Sequence, residues 1–165
     1  MTTLQLTPEQ ILRDWDTHGA LWLIEDPNLL DTCRPAFIDA IRAAKKENIA
    51  FLCDMSACNE PSYRRMVACH DDIPEDVLLR LSFDVDGGVR ANVAMRERTP
   101  NVALIKLASD PAWYVRRQVA WNSTSPFEAL AMLVNDESID VRYAAYQHQI
   151  VMLGIVKGAP CTPAK

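Results

Sequence analysis

The chain has 165 residues, 49% of them hydrophobic and 24% charged, a composition that sustains one continuous core and excludes a disordered or fibrous protein. Its formal net charge of −5 repels a phosphate backbone at long range, so nucleic acid or an anionic membrane is a disfavoured partner unless a local basic patch reverses the field. The opening MTTLQLTPEQ lacks a basic-then-apolar signal pattern, and no apolar run approaches the roughly 20 residues of a spanning helix, so the expected location is cytoplasmic. There the five cysteines, odd in number and without framework spacing, are expected to be reduced thiols.

The first helix signal is Thr7-Pro8-Glu9-Gln10: an N-cap Thr, Pro at the first helical position and Gln three residues after the cap. It predicts a helix to about His18, with Ile11, Leu12 and Trp15 on one face and Gly19 as the stop. Ala20 to Leu30 reads equally as a short buried turn or a short helix. From Pro35, the spacing of Phe37, Ile38, Ile41 and Ala44 predicts an amphipathic helix, with Lys45 and Lys46 in its last turn, where cations suit the dipole.

Beyond residue 47 a motif repeats every 26 residues. Pro74, Pro100 and Pro126 keep this step, as do Leu78, Leu104 and Leu130, then Leu81, Leu107 and Leu133, then Asp84, Asp110 and Asp136, and the pairs Val89-Arg90, Val115-Arg116 and Val141-Arg142. One step earlier, Leu52, Met55, Tyr63-Arg64 and Val67-Ala68 fall in register, with Asn48 and Cys58 replacing the Pro and the Asp. The expected organisation is an atypical helical N-terminal cap over 1–47, four repeats at 48–73, 74–99, 100–125 and 126–151, and an apolar end with a Gly/Pro/Ala tail over 152–165. Each repeat carries two start signals, Thr99-Pro100 and Asp110-Pro111 in the third, so each should be a pair of short helices. Helices this short are marginal alone and must be stabilised by stacking.

Stretches such as PNVALIKLASDPAWYVRRQVAWN resemble the variant leucine-rich repeat, a short relative in style of the HEAT repeat, from Asn48 to about Ile150. The resemblance implies an all-α, right-handed α-solenoid of short helix pairs. That family includes a member with a cysteine-bound iron–sulfur module, which brings Cys33, Cys53, Cys58, Cys69 and His70 into question. No tight C-x2-C pair exists, and the register puts Cys53 in an apolar core column with Leu79, Ile105 and Ala131, Cys58 in the Asp column and Cys69 with Met95, Trp121 and Gln147. The expectation is free thiols, no metal and no cofactor.

The regular polar columns are Arg64, Arg90, Arg116 and Arg142 with Asp84, Asp110 and Asp136. Each Arg follows the Asp position by six residues, close enough to bond turn carbonyls or the Asp of a neighbouring unit. A structural ladder is expected, with the Asp capping the second helix or ordering the turn before it. The column of His70, Arg96, Asn122 and His148 reads as helix capping. No nucleotide-binding, metalloprotease or nucleophile-elbow motif occurs, and His18, His70 and His148 stand far apart, so no catalytic residue is expected.

Positions that vary between repeats on the second helix should face outward. They give Arg65, Trp113, Tyr114, Arg117, Trp121 and Tyr143 as partner contacts, an aromatic–Arg–aromatic strip of hot-spot residue types. The alternative for Trp113 and Trp121 is packing between repeats. The leading functional expectation is a non-catalytic protein-binding module, an adaptor or an inhibitor of a partner protein, acting as a monomer or as a homodimer through a solenoid end. The rival is a nucleic-acid or base-repair protein using Arg64, Arg65, Arg90, Arg96, Arg98, Arg116, Arg117 and Arg142 beside the tryptophans.

Overall fold

The structure, a computed structural model, describes residues 7–18 and 34–152. It is helical throughout these residues: α1 Pro8–His18, α2 Arg34–Ala43, a 3-10 turn Lys46–Asn48, α3 Ile49–Met55, α4 Pro61–Ala68, α5 Glu75–Leu81, α6 Gly87–Met95, α7 Asn101–Leu107, α8 Trp113–Trp121, α9 Phe127–Leu133 and α10 Ile139–Met152. The first residues of α3, α5, α7 and α9 are each 26 apart, and so are those of α4, α6, α8 and α10. Gly19, Ala20 to Leu30 and the tail after Met152 lie outside the described residues. The chain forms two compact units, Met1–Val77 and Leu78–Lys165.

In the first unit, the N-terminus of α1 is closed by a reciprocal pair: Gln10 N–H donates to Thr7 Oγ1 at 3.2 Å and Thr7 N–H donates to Gln10 Oε1 at 2.8 Å. This satisfies two backbone donors that have no partner inside the helix. Trp15 then anchors the unit. Its ring lies edge-on to Phe37 of α2 at 6.2 Å and to Phe51 of α3 at 5.0 Å, and Phe37 meets Tyr63 of α4 at 6.1 Å. Its indole Nε1–H donates to Asp54 Oδ2 at 2.8 Å, so the buried aromatic brings its own polar group to an acceptor. Lys45 and Lys46 are not in the last turn of α2. That helix stops at Ala43 because the Asn48 side chain accepts from Lys45 N–H at 3.1 Å and starts a new turn.

In the second unit, α6, α8 and α10 lie side by side in one layer, and α7 packs against α9 in the other. Between the layers sit Leu78, Leu104 and Leu130, then Leu81, Leu107 and Leu133, together with Val89, Val115 and Val141, all buried. One residue further round each first helix the surface begins. Ile105 and Ala131 are exposed and Leu79 is half-buried, as is Cys53 in the first unit, so that column is not core, contrary to its apolar content. A seven-residue helix with a residue every 100° turns two or three rows inward, and the Ala103, Leu104 and Leu107 rows fill that arc.

The start signals work differently from the simplest expectation. The Thr99 hydroxyl does not cap α7; it donates to Val93 O at 2.6 Å, and Ser125 does the same to Val119 O at 2.6 Å. Each ties the end of a second helix to the start of the next first helix. Likewise α8 begins at Trp113, after Asp110-Pro111, with Ala112 at its N-cap and no side-chain cap, whereas α6 has a true cap, Asp86 accepting from Val89 N–H at 2.9 Å. That cap offsets the low helix propensity of Gly87 and Gly88. Replacing Leu104 with Ala is expected to cost about 2–5 kcal/mol, the usual range for a buried Leu truncation, measured by urea denaturation. A cost below about 0.5 kcal/mol, typical of surface sites, would place Leu104 outside the core.

Candidate functional site

Two sets of side chains stand out in the second unit, one bonded inward and one turned outward. The inward set consists of Arg90, Arg116 and Arg142. Arg90 Nη1–H donates to Asp84 O at 2.8 Å and Val85 O at 3.1 Å, Arg116 Nη1–H to Asp110 O at 2.7 Å and Pro111 O at 3.3 Å, and Arg142 Nη1–H to Asp136 O at 2.7 Å and Glu137 O at 3.1 Å. These carbonyls belong to the turn between the two helices of a pair. In the first unit Arg64 makes the same bonds to Cys58 O at 2.8 Å and Asn59 O at 3.0 Å.

The opposite edge of two of these guanidinium groups grips the next pair. Arg90 Nε–H and Nη2–H donate to the two carboxylate oxygens of Asp110 at 2.6 and 2.9 Å, and Arg116 bonds Asp136 at the same two distances. Each carboxylate also accepts from the backbone two residues on, Asp110 from Ala112 and Asp136 from Ser138, and Asp84 from Asp86. So the Asp column orders the turn before the second helix. Cys58 fills this role with sulfur: its Sγ accepts from Glu60 N–H at 3.2 Å, and burial raises its pKa against the opposing backbone bond and the Arg64 charge.

The chemistry of Asp110 and Asp136 follows from this geometry. Burial pushes both carboxyls up, but hydrogen bonds from Arg90 or Arg116 and from the turn N–H outweigh it, together with the nearby positive charges, and hold both below the usual range. Bonding to Asp110 and Asp136 correspondingly raises Arg90 and Arg116.

A further column satisfies carbonyls at helix ends. Asn122 Nδ2–H donates to Ala94 O at 2.7 Å and Arg96 O at 2.9 Å, His148 Nδ1 lies 3.1 Å from Ala120 O, and in the first unit His70 Nε2 lies 3.1 Å from Ala44 O. Lys106 is a structural residue the register did not single out. Its ammonium bonds Ser82 O and sits 4.3 Å from the centre of the Phe83 ring, and burial lowers its pKa.

The outward set lies on the layer of second helices. Trp113 is 43% exposed and Trp121 57%, so neither is packed away between helices. The Arg117 guanidinium stacks 5.2 Å from the centre of the Trp113 ring, and its Nε is covered without an acceptor. Tyr114 meets Trp113 edge-on at 6.2 Å and leans over α6, where a Cβ on Gly87 would stand 2.2 Å from its hydroxyl. Tyr143 is exposed on α10, as is Ile139 one turn before it, and Met95 is exposed on α6. Ile139 was missed although it holds the register of Trp113. Arg65 is exposed on α4, in the first unit.

Of the cysteines described, Cys58 is buried, Cys53 half-buried and Cys69 exposed, all as free thiols. Among the described residues, no three His, Cys, Asp or Glu side chains gather as a metal set, and no helix is long and apolar enough to cross a membrane. Compared with family models, curated proteins and solved structures, the chain matches none.

Two outcomes are expected. Arg116→Ala strips the Asp136 carboxylate of its cationic partner, leaving it the Ser138 N–H alone, and removes the donor to two turn carbonyls, so it should cost about 3–5 kcal/mol, whereas Arg117→Ala, which breaks the stack on Trp113, should stay within about 1 kcal/mol; thermal melts compare them, and equal losses would refute the division into two sets. Because the folded-state pKa of Asp110 is depressed, its contribution is complete above its unfolded pKa of about 3.9 and is lost as pH falls through the folded value. Asp110→Asn should therefore destabilise the protein at neutral pH and flatten the acid limb of its stability curve; an unchanged acid limb would contradict the assignment.

Proposed function

We propose that the chain is a non-catalytic protein-binding module, built as a right-handed superhelix of 26-residue helix pairs. It acts in the cytoplasm as an adaptor or as an inhibitor of its partner. The carrying observation is the contrast between the two sets of side chains. Arg90 and Arg116 are consumed by internal bonds, while one layer of second helices leaves Trp121, Tyr143, Ile139 and Met95 exposed, together with Trp113, on which Arg117 stacks. Aromatic rings bring large contact area with few rotatable bonds, and an arginine among them adds a directional donor, the composition of binding hot spots.

The nucleic-acid reading has less support. Arg64, Arg90, Arg116 and Arg142, half of the arginines it calls on, donate to turn carbonyls, and the chain carries a net charge of −5. Affinity purification from the native cell, with and without nuclease, discriminates the two. A protein retained after nuclease treatment, and lost with Trp121→Ala and Arg117→Ala at unchanged melting temperature, is the expected result; truncating such anchors costs about 2 kcal/mol or more of binding. Retention that vanishes with nuclease, and DNA affinity falling steeply with salt, would favour the rival.

A further inference from the structure

The second helices of the second unit carry Arg90, Arg116, Arg117 and Arg142. Three of them donate to the turn carbonyls of their own helix pairs. Arg117 does not: its Nε is covered without a hydrogen-bond partner, and its guanidinium makes no hydrogen bond or ion pair with any described residue. What holds it is the Trp113 ring, whose centre lies 5.2 Å from the guanidinium carbon. Stacking fixes the plane of the fork and leaves its donors unused, so a ligand meets a cation that is already oriented.

The charges in the same rows of this layer are few, and they decide what the cation takes. Trp113, Arg117 and Trp121 follow at four-residue spacing and share one face of α8. In the same register stand Gly87, Ala91 and Met95 on α6 and Ile139, Tyr143 and Gln147 on α10, none of them charged. The next row holds Gly88, Tyr114 and Asp140, and its one charge, Asp140, is exposed in the first turn of the adjacent α10. A lone guanidinium with an acid on the neighbouring helix suits a single carboxylate, whose two oxygens match the planar fork. A phosphate backbone needs several unpaired cations along its path, and a uniformly acidic segment is repelled by Asp140. Trp113 and Trp121, one turn to either side of Arg117 and both exposed, suit apolar side chains next to that carboxylate.

We propose that the outward face of α8 docks a peptide segment of another protein through one Asp or Glu carboxylate, which takes the terminal Nη edge of Arg117, with bulky apolar neighbours of that residue lying on Trp113 and Trp121. This rests on the protein-binding reading above and names the chemistry of its partner. The stacked guanidinium loses little rotamer freedom when the carboxylate arrives, and the apolar side chains that settle on the two rings exclude water from the ion pair and so strengthen it. The acidic overall charge of the chain is no obstacle, because the contact is made at one unpaired cation and not by long-range attraction.

Selection of a random phage-displayed peptide library on the full chain, followed by fluorescence titration of the most enriched peptide in synthetic form, tests this. The expected peptides share one Asp or Glu beside bulky apolar residues. Replacing that acid by its amide, and Arg117→Gln in the protein, should each weaken binding by about tenfold or more, as for a charge-assisted hydrogen bond, at a nearly unchanged melting temperature. Arg117→Glu should abolish binding of that peptide and favour the form in which its acid is replaced by Lys. Enriched peptides that lack an acid, or whose binding ignores Arg117→Gln, overturn the carboxylate assignment and leave the protein-binding reading standing; a library from which nothing is enriched overturns both. Displacement of the peptide by a thymidine oligonucleotide, or self-association of the free chain that Trp121→Ala removes, would assign the face to nucleic acid or to a second copy and likewise overturn the proposal.

Discussion

Helices of seven to nine residues are too short to persist in water, so this fold depends on a device that holds one helix pair against the next in a fixed register. The Arg–Asp rung is that device. A single guanidinium ties the turn of its own pair through Nη1 and reaches the aspartate of the following pair through Nε and Nη2, while that aspartate orders its own turn by accepting from Ser138 N–H. Five donors in a planar fork allow one side chain to do both, which a lysine ammonium cannot reproduce. The leucine and valine columns supply the driving force of burial. The rungs choose among the ways in which such apolar surfaces could slide over each other, because a shift by one turn would strand a carboxylate and a guanidinium away from water.

The satisfied groups recur although the residues vary. The sulfur of Cys58 accepts the turn N–H that aspartate accepts elsewhere, and Asn122 or a histidine reaches the carbonyls at the end of a neighbouring helix. Backbone groups at helix ends must find partners wherever water is excluded, and several side chains meet that need. The outward positions carry no such obligation. Gly87, Trp113 and Ile139 share one register, yet Trp113 and Ile139 are exposed while Gly87 is half-buried and leaves room for the Tyr114 ring. This freedom allows one layer of helices to acquire an aromatic face without disturbing the stack.

Much of this was legible in the sequence because it follows from fixed spacing. The all-helical class, the 26-residue step between helix starts and the buried Leu and Val columns come from apolar periodicity and from proline and aspartate punctuation. The six-residue separation of Asp110 and Arg116 similarly limits what the guanidinium can reach. The misreadings arose where composition alone had to decide. Ile105 looks like core but lies just past the buried arc of a short helix, Thr99 looks like a cap but bonds back to Val93, and Lys45 and Lys46 look like the end of a helix that Asn48 has already terminated. The exposure of Trp113 and Trp121 was a choice between two packings that periodicity does not separate, since both place the rings on the same helix face.

The central claim is that Arg116 and Asp136 act as one unit joining successive helix pairs, and a double-mutant cycle measures this directly. Arg116→Ala, Asp136→Ala and the double variant would be compared by urea denaturation. The account predicts a coupling energy of about 1.5 kcal/mol or more, in the range of close charge pairs, with the double variant little less stable than the worse single one. Additive losses, within about 0.5 kcal/mol as for independent sites, would contradict it.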